Sequence, residues 1–164
     1  MEILFKQTWI IFVVVTVANV LILKQRSKQY IAQQPDLQEG YDLIFKNILL
    51  YGNIPWLIMA IGSLSGLTNG PFDYFRPRSM NPMVLLFHGA IIVLWILSLR
   101  WIYFKNGAAF LERHPGLIRK SSFSGNTSVT ATQIRIFFAL ALLGGIVGML
   151  MMWFIDFPAP SFPG

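Results

Sequence analysis

An all-α membrane protein, a four-transmembrane-helix bundle with both termini on the non-cytoplasmic side, is the fold class this sequence predicts. Three observations predict it. Four long apolar runs, Ile3–Leu23, Ile48–Leu67, Met83–Phe104 and Ile134–Phe154, each approach the roughly 20 residues an α-helix needs to cross a bilayer. Hydrophobic residues make up 55% of the chain and charged residues 12%, well under the roughly 25% of soluble domains, so a water-facing fold has no core large enough for the runs. Lys and Arg cluster at the run ends, where they set orientation.

The 164 residues make a single polytopic domain, with helices expected at about 3–23, 46–67, 82–104 and 133–155. The first run has only Lys6 ahead of it and no small-x-small cleavage site behind it, so it reads as a retained helix rather than a signal peptide. The first connection, residues 24–47, carries Lys24, Arg26, Lys28 and Lys46. The third, residues 105–133, carries Lys105, Arg113, Arg119 and Lys120, flanked by Arg100 and Arg135. The opposite side has Lys6, Arg76 and Arg78. By the positive-inside rule the two richer connections face the cytoplasm. Trp9, Trp153 and residues 72–75 then fall near the outer interface, and Tyr51, Trp101 and Tyr103 near the inner one, the depth that amphipathic rings favour. Arg100 lies about one turn inside the third helix, from where its side chain snorkels to the interface.

Each connection carries local signals. Pro35-Asp36 breaks the first, and residues 41–47 begin the second helix ahead of the membrane. Asn69-Gly70-Pro71 marks a turn. Asn81-Pro82 has the form of an N-cap followed by a first-turn proline. Gly107 and His114-Pro115-Gly116 bracket a short apolar stretch, Ala108–Leu111, expected on the membrane surface. Residues 121–132 are small and polar, and Thr130 with Gln133 spells a capping box for the fourth helix. The tail from Phe157 holds three prolines and reads as extended. Asn126-Thr127-Ser128 matches a glycosylation sequon on the predicted cytoplasmic side, where it stays silent.

The candidate sites are the polar and aromatic exceptions within the runs. His88 lies roughly 8 Å from the outer end of the third helix at 1.5 Å per residue. It reads either as a haem ligand, proton relay or quinone hydrogen-bonder, or as a neutral histidine bonded to a neighbouring helix, with Ser63 and Ser65 as partners at similar depth. Bis-His haem ligation needs a second imidazole at that depth, and His114 sits in the opposite loop. Trp56 and Trp95 fall roughly 13 Å from the cytoplasmic ends. Trp95 and His88, seven residues apart, share one helix face that would suit a pigment, lipid or quinone.

Asn53 and Pro55, beside Gly52, form a polar kink, because proline removes a backbone hydrogen bond and clashes with the preceding turn. The freed carbonyls suit either an ion path or packing, with Asn19 as an amide partner at the same depth. Gly62 with Gly66, Gly144 with Gly148, and Ala141 with Gly145 repeat small residues at the four-residue spacing that lets helix backbones approach. Phe72, Asp73, Tyr74, Arg76 and Arg78 form an aromatic, charged outer loop. It reads either as a docking knob or as an interfacial turn with Asp73 paired to Arg76.

The absence of Cys excludes disulfides, thiolate metal sites and a Cys nucleophile. No glycine-rich phosphate loop, paired carboxylates, nucleophile elbow or metal-ligand cluster appears in the sequence. The net charge of +6 sits at the run ends, where it meets anionic headgroups, so nucleic acid is not an expected partner. The sequence therefore predicts a multi-pass protein of a bacterial inner membrane or an organellar equivalent, surrounded by the lipid bilayer. Its expected role is that of a non-catalytic accessory, assembly or scaffolding subunit bound to other membrane subunits, in an energy-transducing complex for example. The alternatives are a haem-, pigment- or quinone-binding protein using His88, and a small transporter or channel centred on Asn53 and Pro55.

Overall fold

The computed structural model describes residues 6–118 and 129–155. The expectations for the start of the first run at Ile3, the sequon, most of the polar 121–132 segment and the proline-rich tail fall outside these residues. The helices run in the order α1 (Thr8–Gln33), α2 (Gln38–Tyr51), α3 (Ile54–Leu64), α4 (Pro82–Phe104), α5 (Gly107–Arg113) and α6 (Ala131–Phe154). Short 3-10 turns fill Pro35–Leu37, Pro71–Phe75 and Pro77–Ser79, and no strand occurs among the described residues. Four segments are long and apolar enough to cross a membrane: α1, Pro35–Leu64, α4 and α6.

α1 runs on past Leu23, where its apolar run ends, to Gln33. The added stretch is built from good helix formers such as Lys24, Gln25, Arg26 and Ala32. Its apolar members, Tyr30 and Ile31, pack on a buried cluster of Val20, Tyr41, Ile44 and Phe45, so a contact with α2 sustains the extra turns. The helix stops because a residue before proline is driven out of the α region. Gln34, ahead of Pro35, accordingly takes φ −138° and ψ 84°.

α2 buries Tyr41, Ile44 and Phe45, residues spaced three and four apart and hence on one face. It is separated from α3 by Gly52 and Asn53. Pro55, in the first turn of α3, has no N–H for the carbonyl four residues back. The Asn53 side chain folds onto the preceding turn, its Nδ2 donating to the Leu49 carbonyl at 2.7 Å. A Cβ on Gly52 would collide with the Ile48 carbonyl, which makes glycine the fitting residue at this junction.

Just past the end of α3 lies Gly66, whose φ of +72° is the left-handed geometry that glycine adopts after helix C-termini. α4 starts where Asn81 Oδ1 accepts the Met83 N–H at 2.9 Å. At the start of α6, Thr130 Oγ1 accepts the Gln133 N–H at 3.3 Å and Gln133 Oε1 accepts the Thr130 N–H at 3.2 Å, a reciprocal capping box. α5 is not a free surface stretch, since Gly107 and Ala108 are buried. A Cβ on Gly107 would lie 2.6 Å from the Trp101 indole.

Three apolar clusters hold these elements. Ile58, Met59, Tyr74, Met83, Val84 and Phe87 join α3 and α4 at the end bearing the 65–81 loop, with Trp9, Phe12 and Trp56 packed around them. The Val20–Tyr41 cluster joins α1 to α2 near the opposite end. Ile102, Ala108, Val129 and Ile134 tie α5 to the start of α6. Beyond that start, the most apolar stretch of α6 has no buried residue, and α6 meets α4 along only a short line. α6 is therefore a peripheral helix with most of its length uncovered among the described residues.

Candidate functional site

The 65–81 loop folds back over the helix ends instead of projecting from them. Gly62 accepts the Thr68 N–H on its carbonyl at 3.0 Å. Asn81 Nδ2 donates to the Leu67 carbonyl at 2.6 Å, which draws the start of the loop against the start of α4. Asp73 Oδ2 accepts the Asn69 N–H at 2.7 Å, a side-chain-to-backbone bond that closes residues 69–73 in place of the expected pair with Arg76. Of the five expected docking residues, Tyr74 turns inward and is buried, while Phe72, Arg76 and Arg78 are exposed and Asp73 is half-buried. Phe72 and Phe75 pair on the surface with ring centres 6.1 Å apart.

Tyr74 organises this end of the molecule. Its ring stands 4.9 Å from Phe87, and its hydroxyl lies 3.4 Å from Thr68 Oγ1. The hydroxyl also occupies the space a Cβ on Gly62 would need. Burial pushes the phenol above its ordinary pKa, the Thr68 hydrogen bond opposes that shift, and the Asp73 charge adds to it. Gly62 is thus a true close-approach position. Gly66 has nothing within 4 Å of a built Cβ and serves the chain reversal instead.

His88 is 3% exposed and bonds to neither Ser63 nor Ser65. Ser63 Oγ donates to the Lys6 carbonyl at 2.6 Å, and Ser65 Oγ to the Ile61 carbonyl at 2.7 Å. The imidazole instead meets the Tyr74 main-chain carbonyl, with Nε2 at 2.9 Å. A carbonyl only accepts, so Nε2 is the donor here, and in the neutral imidazole Nδ1 then carries the lone pair. That Nδ1 is buried and has no hydrogen-bond partner. The Trp153 ring stands edge-on to the imidazole, centres 6.1 Å apart and planes at 89°.

Trp153 also belongs to a groove of about 610 Å³ between α4 and α6, whose walls are nearly all apolar. Ile92, Trp95, Ile96 and Leu99 form the α4 wall, and Leu142, Ile146 and Trp153 are among the residues of the facing wall. Trp95 reaches across to Gly145, where a built Cβ would lie 2.8 Å from its Cζ2. Trp56 belongs to the core instead, stacked on Phe12 at 4.3 Å and 16°. Gly144 and Gly148 have nothing within 4 Å of a built Cβ, so that face of α6 has no neighbour among the described residues.

The amide pair expected between Asn19 and Asn53 does not form. Asn19 is exposed, and Asn53 is buried with its Oδ1 unpartnered. The two residues sit on faces that the packing of α1 against α2 and α3 does not bring together.

Sequence reasoning missed a second cavity, of about 580 Å³, at the α2–α5 end. Asp36, Glu39, Asp42, Lys46, Arg113 and His114 are among its lining residues. His114 stacks on Phe110 at 4.0 Å and 19°, and its Nδ1 lies 2.7 Å from the Phe110 carbonyl. A Cβ on Gly40 would collide with the imidazole, so Gly40 admits His114 to the α2 surface. Tyr41 closes the same corner by donating from its hydroxyl to the Pro115 carbonyl at 2.7 Å. The signal for this contact was Gly40 inside an otherwise regular helical pattern.

Among the described residues no group of three or more His, Asp or Glu side chains is placed to hold a metal ion. The chain matches no known family model, no curated protein and no solved structure.

Proposed function

We propose that this chain is a non-catalytic accessory, assembly or scaffolding subunit of a larger membrane complex, its four long helices crossing the bilayer with both termini on the non-cytoplasmic side. A bacterial inner membrane or an organellar equivalent suits the charge pattern. One observation carries the reading: among the described residues the Gly144–Gly148 face of α6 is open, with nothing within 4 Å of either built Cβ. Association of helices in lipid gains little from the hydrophobic effect and much from close backbone approach, so an uncovered small-residue face gains most from a further helix. The exposed Phe72 and Phe75 rings beside Arg76 and Arg78 add a second surface of the aromatic and guanidinium type that anchors partners.

Purification from the native membrane at native expression, in a mild detergent, tests the reading. A stoichiometric membrane partner is expected, and it should be lost when Gly144 and Gly148 are both replaced by Leu. A lone monomer with no co-purifying protein overturns the proposal.

A further inference from the structure

We propose that the α4–α6 groove binds a lipid-soluble hydroquinone, its apolar tail along the groove and a ring hydroxyl donating to His88 Nδ1. The inference rests on the membrane-spanning reading and is independent of the subunit role.

The α4 wall of the groove is a helical stripe, Ile92, Trp95, Ile96 and Leu99. His88 lies four residues before Ile92 and seven before Trp95, which places it on the same stripe one turn beyond the groove's end. Trp153 links the two, since it lines the groove and meets the imidazole edge-on. It sits in the last turn of α6, next to Phe154, where the helix ends. His88 does not itself line the groove, so a ligand in the groove reaches the imidazole only if the Trp153 side chain turns aside.

The chemistry at that point selects the ligand. A buried acceptor without a partner is costly, and few buried groups in folded proteins are left so. With Nε2 engaged by the Tyr74 carbonyl, the Nδ1 of the neutral imidazole offers a lone pair and requires a donor. A hydroxyl satisfies it. A quinone, which presents only carbonyl acceptors, opposes it. The site therefore prefers the reduced, hydroxyl-bearing ring.

Depth narrows the class further. His88 is six residues into α4, roughly 9 Å along its axis from Pro82. A charged phospholipid headgroup stays at the interface, whereas a head whose polarity is two hydroxyls can descend that far. The groove, about 610 Å³ and apolar along its walls, falls within the roughly 300–1,000 Å³ of small-molecule sites and suits an alkyl or isoprenoid tail.

The test uses the full chain in phosphatidylcholine nanodiscs, with a radiolabelled decyl-substituted benzohydroquinone kept reduced under anaerobic conditions. Its quinone and its bis-methyl ether, which share the tail but lack the donors, serve as competitors. The hydroquinone is expected to bind about tenfold more tightly than either, the worth of one hydrogen bond to a buried acceptor. His88→Phe should abolish that preference, and Ile146→Trp, which fills the groove and leaves His88 in place, should weaken all three ligands at least tenfold. Equal competition by the three, retention no greater than in empty nanodiscs, or a preference that survives His88→Phe overturns the site. Should His88→Phe fail to fold, Ile146→Trp decides, and hydroquinone binding that it leaves unchanged overturns the proposal. Loss of hydroquinone binding with a partner still co-purifying removes this inference alone.

Discussion

The Trp95 indole rests on Gly145, so close that a Cβ at that glycine would stand 2.8 Å from Trp95 Cζ2 and 3.3 Å from Cη2. This is a main side-chain link between α4 and the middle of α6, whose most apolar stretch has no buried residue. Gly145→Val should push the indole out of place, at the roughly 1–3 kcal/mol that overpacking costs. A lower unfolding midpoint in detergent and a shift in tryptophan emission are the expected readouts. Gly144→Ala and Gly148→Ala, whose new methyl groups meet nothing among the described residues, should leave the emission unchanged and should not lower the midpoint. A Gly145→Val protein with the wild-type midpoint and emission would refute the link.

A second close approach lies where α3 meets the 65–81 loop and the start of α4. A methyl group on Gly62 would collide with the Tyr74 hydroxyl and stand 3.0 Å from Thr68 Oγ1 and 3.3 Å from Met83 Cβ. Gly62→Ala is therefore expected to lift Tyr74 and loosen the 65–81 loop, again by roughly 1–3 kcal/mol. Removing the hydroxyl makes room. In the Gly62→Ala/Tyr74→Phe double variant part of the loss should return, so the two changes combine less than additively. Strict additivity in thermal unfolding would show that the contact is not the cause.

How much of this was legible depended on how local the cause was. The Asn81-Pro82 start of α4 and the Thr130/Gln133 box of α6 are spelled within a few residues, and the side chains make those bonds. The four apolar runs follow from composition alone. The extension of α1 to Gln33 was not legible, because Tyr30 and Ile31 are held by Tyr41 and its neighbours on another helix. The partner of His88 was hidden for a different reason: it is a main-chain carbonyl, which every residue possesses, presented by a loop turned inward by Tyr74. Equal spacing also concealed unequal roles. Gly62 admits a hydroxyl, Gly66 reverses the chain, and Gly145 rather than Gly144 or Gly148 receives a ring. The stripe through His88 and Trp95 could be read from periodicity, but Trp153, which connects it to the groove, lies 65 positions from His88 in the sequence (153 − 88).

Orientation is open to a direct test because the chain has no native cysteine. Ser79 lies in the exposed 3-10 turn before α4, and Gln34 in the exposed junction after α1. These positions bracket the apolar stretches, and the proposed orientation puts the Gln34 end, richer in Lys and Arg, in the cytoplasm. In intact cells or sealed right-side-out vesicles, Ser79→Cys should react with a membrane-impermeant maleimide within minutes. Gln34→Cys should react only after the membrane is opened. Both side chains are exposed, so slow reaction reports the barrier rather than burial. The reverse pattern would invert the topology, placing Arg76 and Arg78 inside and showing that these two charges outweigh the bases of the other connections. Labelling of both sites in sealed vesicles would remove the membrane-spanning arrangement altogether, and with it the depth argument for His88.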